Sequence, residues 1–532
     1  MDLISDISNR NTTLANVAAE LAQSRPEECA VLFDNGVELT YGEAWQQSQQ
    51  LAAAMQSVGL RQGDTLSFQL PNTIESVIVA IAASICGLVI NPIVPIYRGK
   101  EVSFILRDAR TKIVFIPRRY RDFDFPNMIL DLKAQLPDLE HVVCVGADGE
   151  IPDEFLDYQS FLMGGLAADA EKVSVDPNDT KILLYTSGTT GNPKAVRHSH
   201  NTLTKALDNG RVGWRLGPDD MMLMPSPVTH ITGYVNGIEL PFFTDTRVLL
   251  MEAWVVDKAV TLIEDFGATV CVSATPFLQE LITTCKRLGK TLPGFRLFAC
   301  GGASVPPALI YEASTTFADC LAVRVYGSTE VPLVTVGFPE SENSVLAAET
   351  DGRIHNYDVR VCDDNGNDLG VNVEGELVVR GPAMMLGYAD QAQNAAAFDT
   401  EGFFKTGDIG KLLPSGAILI TDRKKDIIIR GGENLSAREI EEAILQHPAI
   451  LEAAVVAAPH ARLGEGVAAF VVTHSNDDVA LDDVLELLSE MKLAKQKWPQ
   501  YLSVERVLPK TASGKVQKEV LRRQLRDNGV QL

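Results

Sequence analysis

Positive charge is scarce in this chain: 47 lysines and arginines stand against 70 aspartates and glutamates, for a formal net charge of −23. Such a field disfavours nonspecific binding to nucleic acid, and any polyanionic ligand must be met by local positive groups. Paired cysteines are lacking too. Cys29, Cys86, Cys144, Cys271, Cys285, Cys300, Cys320 and Cys362 are scattered without metal-ligand spacing, which argues against a zinc cluster and a disulfide scaffold. Cys300 reads as strand packing, since no histidine lies near it in sequence. A reducing, cytoplasmic compartment is expected. The opening MDLISDISNRNTT has no basic stretch leading into an apolar core, so no secretory signal is expected. There is no uninterrupted apolar run of membrane length either. Residues 76–96 carry no charge, but Gly87, Asn91, Pro92 and Pro95 break the second half. That pattern predicts a buried helix followed by a strand. Internal repeats and low-complexity tracts are absent.

What is present is ordinary globular usage, 46% hydrophobic and 22% charged, on 532 residues, which implies at least two domains. Short apolar runs recur in the middle of the chain, at 182–184, 248–250, 270–272, 297–299 and 323–325, mostly with helix-like stretches between them. The alternation predicts an α/β region with a mostly parallel sheet, whose ligands sit beyond the carboxyl ends of the strands. Turns rich in glycine or hydroxyls follow three of these runs, at 186–191, 301–304 and 327–329. After Glu374 the pattern turns β-rich and ends in the cluster Asp422-Arg423-Lys424-Lys425-Asp426. A new alternation follows, with Ile440, Ala443 and Ile444 on one helical face, strands at 454–456 and 470–472, and a helix over 484–491. This predicts a large region over 1–424 and a small α+β domain over 425–532, with the boundary at Lys425.

The sharpest chemical signal is Tyr185-Thr186-Ser187-Gly188-Thr189-Thr190-Gly191-Asn192-Pro193-Lys194. Its glycines let backbone N–H groups approach an anion, its hydroxyls add donors, and Lys194 adds a compact positive charge. The spacing is not that of a Walker A loop. On these residues alone, a solvent-exposed Ser/Thr turn explains the stretch equally well.

The stretch YTSGTTGNPKAV resembles the phosphate-binding signature of the adenylate-forming superfamily of acyl-CoA synthetases, peptide-synthetase adenylation domains and luciferases. Further signatures of that superfamily follow in order: Gly301-Gly302-Ala303-Ser304, Tyr326-Gly327-Ser328-Thr329-Glu330, Gly375-Glu376-Leu377 with Arg380-Gly381-Pro382, and Thr406-Gly407-Asp408. Then come the cluster at 422–426 with Gly431-Gly432-Glu433-Asn434, and Pro509-Lys510-Thr511-Ala512-Ser513-Gly514-Lys515. With weaker echoes near Leu39, the resemblance spans almost the whole chain and is closest to acyl-CoA synthetases. It implies multi-subdomain α/β architecture with mostly parallel sheets, a β-rich subdomain and a small mobile α+β C-terminal domain.

The resemblance also implies roles. Thr186, Ser187, Gly188, Thr189, Thr190 and Lys194 would wrap the phosphates of ATP, with Thr329 on the α-phosphate. Glu330, assisted by Thr186, would hold Mg²⁺. Tyr326 would face adenine, opposite backbone from Gly301, Gly302, Ala303 and Ser304, with Gly327 and Ser328 completing that turn. Asp408 would bind the ribose hydroxyls, with Ile420 and Arg423 adding contacts. Lys515 would bridge carboxylate and phosphate during adenylation. Rotation about Lys425 would then withdraw it and bring Gly431 and Gly432 to the site for the coenzyme A thiol. His230, Gly233, Gly301 and Val331 would line the acyl pocket, with His230 gating it, although the family's usual Pro-Leu-Phe-His form is replaced here by Pro-Val-Thr-His. Taken singly, several of these have plainer readings: Tyr326 and His230 as core residues, Asp408 in an ordinary turn, Lys515 as solvated. Lys492, Lys495 and Lys497 read as a solvated helix face rather than a coenzyme A contact.

No acidic residue lies between Met224 and Gly237 to bind a substrate amino group, and no Arg or Lys there or in 331–334 pairs a second carboxylate. A hydrophobic monocarboxylate is therefore expected: fatty, alicyclic or ring-bearing. Seventeen residues follow Lys515, with no carrier domain among them, which favours free coenzyme A as acceptor. A separate carrier protein is the alternative. A luciferase-like oxygenation is less favoured, although no motif excludes it, and a non-catalytic nucleotide-binding protein fits poorly because Lys515, Glu330 and Asp408 are all present. Monomer and homodimer are both open.

Overall fold

A computed structural model describes residues 11–147, 149–165, 170–186, 193–474, 479–511 and 514–532; strand counts refer to these residues. The chain divides into two compact units. The first comprises 1–348, 355–357 and 381–396, and the second comprises 349–354, 358–380 and 397–532.

The first unit is built on two sheets. One has seven strands in the spatial order Leu321–Val325, Leu297–Gly301, Val270–Ala274, Met221–Met224, Arg247–Leu250, Cys29–Phe33 and Glu38–Thr40. All its pairings are parallel except that of the last two strands. Its core is a continuous cluster in which Leu223, Leu249, Leu278, Leu281, Phe295 and Phe298 are fully buried. The near-continuous apolar reading of these strands follows from burial on both faces.

The other sheet has eight strands, in the order Gly387–Tyr388, Lys194–Ser199, Thr180–Thr186, Val89–Pro92, Thr65–Phe68, Thr111–Pro117, His141–Val145 and Leu156–Asp157. The first three strands pair antiparallel and the rest parallel. The uncharged stretch at 76–96 forms the helix Ile74–Cys86, buried from Ser76 onward, and then the strand Val89–Pro92. Gly87 at φ 66° ends the helix. Among the described residues, no helix is long and apolar enough to cross a membrane.

One expectation needs correction. The run at 182–184 belongs to the eight-stranded sheet, whereas the runs at 248–250, 270–272, 297–299 and 323–325 belong to the seven-stranded one. Hydrophobic alternation reports burial but carries no information on which sheet a strand joins.

The second unit holds a four-stranded antiparallel sheet of Asp358–Cys362, Gly375–Arg380, Phe404–Leu412 and Ile418–Arg423. It also holds a five-stranded sheet in which Gly464–Thr473 pairs with Ile450–His460, Ile428–Arg430 and Tyr501–Val504. Ile440, Ala443 and Ile444 lie buried on the helix Ala437–Ile444, which is capped by Ser436. Lys425 falls between the two sheets, and its carbonyl accepts a hydrogen bond from Arg522 at 3.3 Å. The neighbouring Asp426 pairs with the same guanidinium at 2.5 Å. Lys492 and Lys495 are exposed, and Lys497 pairs with Glu439 at 2.6 Å. Lys495 and Lys497 are the ends of a short 3₁₀ turn, Lys495–Lys497, and Lys492 precedes it, so the three do not line a regular helix face.

Candidate active site

In the first unit, Thr186 ends one strand and Lys194 begins the next, and the two residues are cross-strand partners. The residues between them that the sequence assigns to phosphate binding, Ser187, Gly188, Thr189 and Thr190, lie outside the described residues. Gly301 ends a strand of the other sheet and is in register with Val325 on its neighbour. Gly302 follows at φ 80°, and the carbonyl of Ser304 accepts a hydrogen bond from the Thr275 hydroxyl at 3.0 Å. Ala303 completes this turn.

The loop after Leu321–Val325 is tightly wound. Tyr326 is buried, its N–H donating to Thr335 Oγ1 at 2.8 Å while its carbonyl accepts from the Thr335 N–H. Past Gly327, the Ser328 N–H donates to the carbonyl of Val331, and the Val331 N–H returns a bond to Ser328 Oγ. Val331 is fully buried. Thr329 is buried as well, and its carbonyl is 2.7 Å from His198 Nε2 on the strand Lys194–Ser199. A carbonyl can only accept, so Nε2 carries the proton and Nδ1 accepts from the Thr202 hydroxyl, 3.0 Å away. Burial holds this imidazole neutral, pushing its pKa down to about 4. The bond ties the loop after a strand of one sheet to a strand of the other, so Thr186, Lys194, Thr329 and Glu330 stand on one braced framework.

Glu330 is half-buried. Its carbonyl accepts from the Met385 N–H at 2.8 Å, and its Oε1 accepts from the Tyr388 hydroxyl at 2.9 Å. The ring of Tyr388 carries the Lys194 ammonium 4.9 Å from its centroid. Among the described residues, no group of three or more His, Cys, Asp or Glu is gathered to hold a metal ion. A lone carboxylate beside a phosphate-type turn does fit an ion brought in by a nucleotide, because Mg²⁺ typically takes one or two protein carboxylates plus phosphate oxygens.

His230 caps the short helix Ile231–Gly233, its Nδ1 accepting from the Thr232 N–H at 3.4 Å. The loop before it is pinned by buried Asn72, which donates to the carbonyls of Ser226 and Met251 and accepts from the Val228 N–H. Gly233 has no room for a side chain: an added Cβ would sit 2.0 Å from the Pro227 carbonyl oxygen. A wide π-helical stretch, Tyr234–Glu239, continues from it.

The second unit carries the rest. Asp408 is buried and pairs with Arg423 Nε at 2.7 Å, across the strands Phe404–Leu412 and Ile418–Arg423. Ile420 is fixed through its backbone, its N–H donating to Asp351 and its carbonyl accepting from Arg438. Gly431 and Gly432 have φ of 61° and 89°, a conformation that side chains resist. Lys515 closes a turn in which its N–H donates to Thr511 Oγ1 and its carbonyl accepts from the Thr511 N–H at 2.7 Å. The site residues foreseen in the sequence are thus shared between two units.

The sequence pattern of AMP-binding enzymes matches residues 18–389, and that of the AMP-binding enzyme C-terminal domain matches residues 439–515. The chain belongs to the AMP-binding enzyme family. This is the adenylate-forming superfamily to which its motifs point. A medium-chain fatty-acid–CoA ligase of Escherichia coli is 33% identical over 97% of this chain and 91% of that protein. A 3-[(3aS,4S,7aS)-7a-methyl-1,5-dioxo-octahydro-1H-inden-4-yl]propanoyl:CoA ligase of Rhodococcus jostii is 31% identical over 93% of this chain and 95% of its own length. Among solved structures, ATP-bound MatB from Rhodopseudomonas palustris superposes with a TM-score of 0.85 at 29% identity, covering 97% of this chain and 100% of that one. Two residues of this family member escaped the sequence reading, His198 and Tyr388. Tyr388 lies just beyond the Arg380-Gly381-Pro382 signature, but its partner Glu330 is 58 residues away.

Proposed function

We propose that the chain activates a hydrophobic monocarboxylic acid with ATP and passes the acyl group to coenzyme A. It is an ATP-dependent carboxylate–CoA ligase, an AMP-forming acid–thiol ligase. The observation that carries this reading is similarity along nearly the full chain to CoA ligases of fatty and alicyclic acids, with the superfamily's motifs in order.

In the first half-reaction a carboxylate oxygen attacks the α-phosphorus of ATP, and the bond to pyrophosphate breaks. Both reactants are anions, so the protein's task is positive charge and preformed donors. Lys194 and the Thr186 hydroxyl meet the phosphates, and Thr329 meets the α-phosphate. Glu330, with Thr186, would hold Mg²⁺, which supplies charge neutralisation on the phosphates. Tyr326 packs against adenine, and Asp408 and Arg423 take the ribose. Lys515 bridges carboxylate and α-phosphate. In the second half-reaction the thiol of coenzyme A adds to the acyl carbonyl and AMP leaves. Rotation about Lys425 exchanges Lys515 for Gly431 and Gly432, whose lack of side chains leaves passage for the pantetheine arm. This boundary at Lys425 cuts the second compact unit between its two sheets.

The acid enters beside His230, Gly233 and Val331, a lining without acidic or basic side chains apart from the histidine. All eight cysteines are free, seven of them buried, which suits a reducing cytoplasm. Pyrophosphate release from Mg-ATP over a panel of acids, with and without coenzyme A, tests the reading. Turnover to AMP and acyl-CoA on fatty or alicyclic acids supports it. Adenylation that coenzyme A does not discharge would move the acceptor to a carrier protein.

A further inference from the structure

We propose that Tyr388 is a positioning residue of the phosphate site, setting the places of the Glu330 carboxylate and the Lys194 ammonium at once. This rests on the reading of Glu330 as the Mg²⁺ carboxylate and Lys194 as a phosphate contact.

The segment bearing Tyr388 is itself firmly held. The short strand Gly387–Tyr388 pairs with Lys194–Ser199, placing Tyr388 opposite Val196, with further backbone bonds from the Leu386 N–H to the Arg197 carbonyl and from the Ala389 N–H to the Ala195 carbonyl. Asn394 locks the tyrosine backbone on both sides: its Oδ1 accepts from the Tyr388 N–H at 2.8 Å, and its Nδ2 donates to the Tyr388 carbonyl at 3.1 Å. The phenol is therefore a fixed, 4% exposed post. Lys194 begins the partner strand two residues before Val196, within diagonal reach of the ring.

Two opposite charges use this post in different ways. Glu330 is hydrogen-bonded by the hydroxyl tip at 2.9 Å, and Lys194 lies over the ring face, 4.9 Å from the centroid. A lysine and a glutamate aimed at the same ligand risk neutralising one another. A neutral aromatic that satisfies the carboxylate at its tip and the ammonium on its face keeps each charge in place for phosphate and cation. It also occupies one carboxylate oxygen and leaves the other for a metal ion. Partners of this kind, one step behind a metal ligand, commonly tune metal affinity 10–100-fold.

Four variants test the proposal: Tyr388→Phe, Tyr388→Leu, Glu330→Gln and the double variant Tyr388→Phe/Glu330→Gln. The readouts are the half-saturating Mg²⁺ concentration for pyrophosphate release, and ATP binding followed by titration calorimetry with and without Mg²⁺. Tyr388→Phe keeps the ring over Lys194 and removes the hydroxyl. It should raise half-saturating Mg²⁺ roughly 10-fold and weaken ATP binding only when Mg²⁺ is present. The double variant should be no worse than Glu330→Gln alone, since the hydroxyl acts through that carboxylate. Tyr388→Leu should in addition weaken ATP binding without Mg²⁺, because Lys194 loses its support. If Glu330→Gln leaves the Mg²⁺ dependence unchanged, the reading of Glu330 fails. If Glu330→Gln shifts it and Tyr388→Phe does not, or Tyr388→Phe lowers only the melting temperature, the positioning role is overturned.

Discussion

His198 and Lys181 show what burial does to single ionisable residues here. With its pKa pushed down to about 4, against an ordinary value of 6.5, His198 stays neutral in the folded protein while the unfolded chain takes up a proton at higher pH. Its contribution to stability is therefore complete above pH 6.5 and is lost as the pH falls toward 4, by at most about 3 kcal/mol. His200 is also driven well below 6.5, by burial and then by the charge of Lys181, and acts in the same direction. Thermal melts from pH 7.5 to 4.5 should show a falling Tm, and His198→Gln, which retains an Nε2 donor for the Thr329 carbonyl, should flatten that slope. Lys181 forms a buried ion pair with Glu239, the two side chains being 3% and 0% exposed. Burial lowers the lysine's pKa in spite of the attraction of Glu239. Lys181→Met would strand the carboxylate, at a cost of about 3–5 kcal/mol. Denaturant unfolding should show this loss, and Lys181→Met with Glu239→Gln should recover part of it.

Elements matter here through their ends. The strand Thr180–Thr186 carries buried Lys181 near its start and Thr186 at its end. Glu239, which receives Lys181, lies on the π-helical stretch that continues from His230–Gly233. One ion pair thus joins the strand that ends at Thr186 to the helical stretch that follows Gly233. The start of that helix tolerates no side chain at Gly233, where a Cβ would meet the Pro227 carbonyl at 2.0 Å. Gly233→Ala must displace the loop at 226–230 and with it the proposed lining of the acyl pocket. Measured by acid-dependent pyrophosphate release, it should raise KM for the acid at least about tenfold, since a misplacement near 1 Å costs on the order of 100-fold in rate when it affects reacting groups. ATP binding should change little.

On the scale of the whole molecule, the proposed residues are divided between two units, with Lys194, Thr329 and Glu330 on one and Asp408, Arg423 and Lys515 on the other. A two-step reaction that exchanges one face of a small domain for another predicts separable defects. Lys515→Ala should slow adenylation by hundreds-fold, about 3–4 kcal/mol for one lost transition-state donor. It should largely spare thioester formation from supplied acyl-adenylate. Stopped-flow assays of each half-reaction check this, and equal loss in both would count against rotation.

Much of this protein was determined by local sequence alone. Short runs at 297–299 and 323–325, followed by turns rich in glycine or hydroxyls, marked the strands Leu297–Gly301 and Leu321–Val325, because burial on both sheet faces admits little but apolar side chains. Glycine at 431 and 432 permits the left-handed backbone found there, since only glycine adopts it freely. The motifs that contain Lys194, Glu330, Asp408 and Lys515 were likewise visible, but the roles proposed for Asp408 and Lys515 rest on the resemblance those motifs carry, since taken singly the two read as a turn aspartate and a solvated lysine. Tertiary structure alone decided that Thr180–Thr186 leaves the sheet of its neighbouring runs. It also decided that His198 supports a carbonyl 131 residues away and that Tyr388 stands between Lys194 and Glu330. Those contacts join residues with no common period or motif, and a pairing between distant strands leaves no trace in the local pattern of either one.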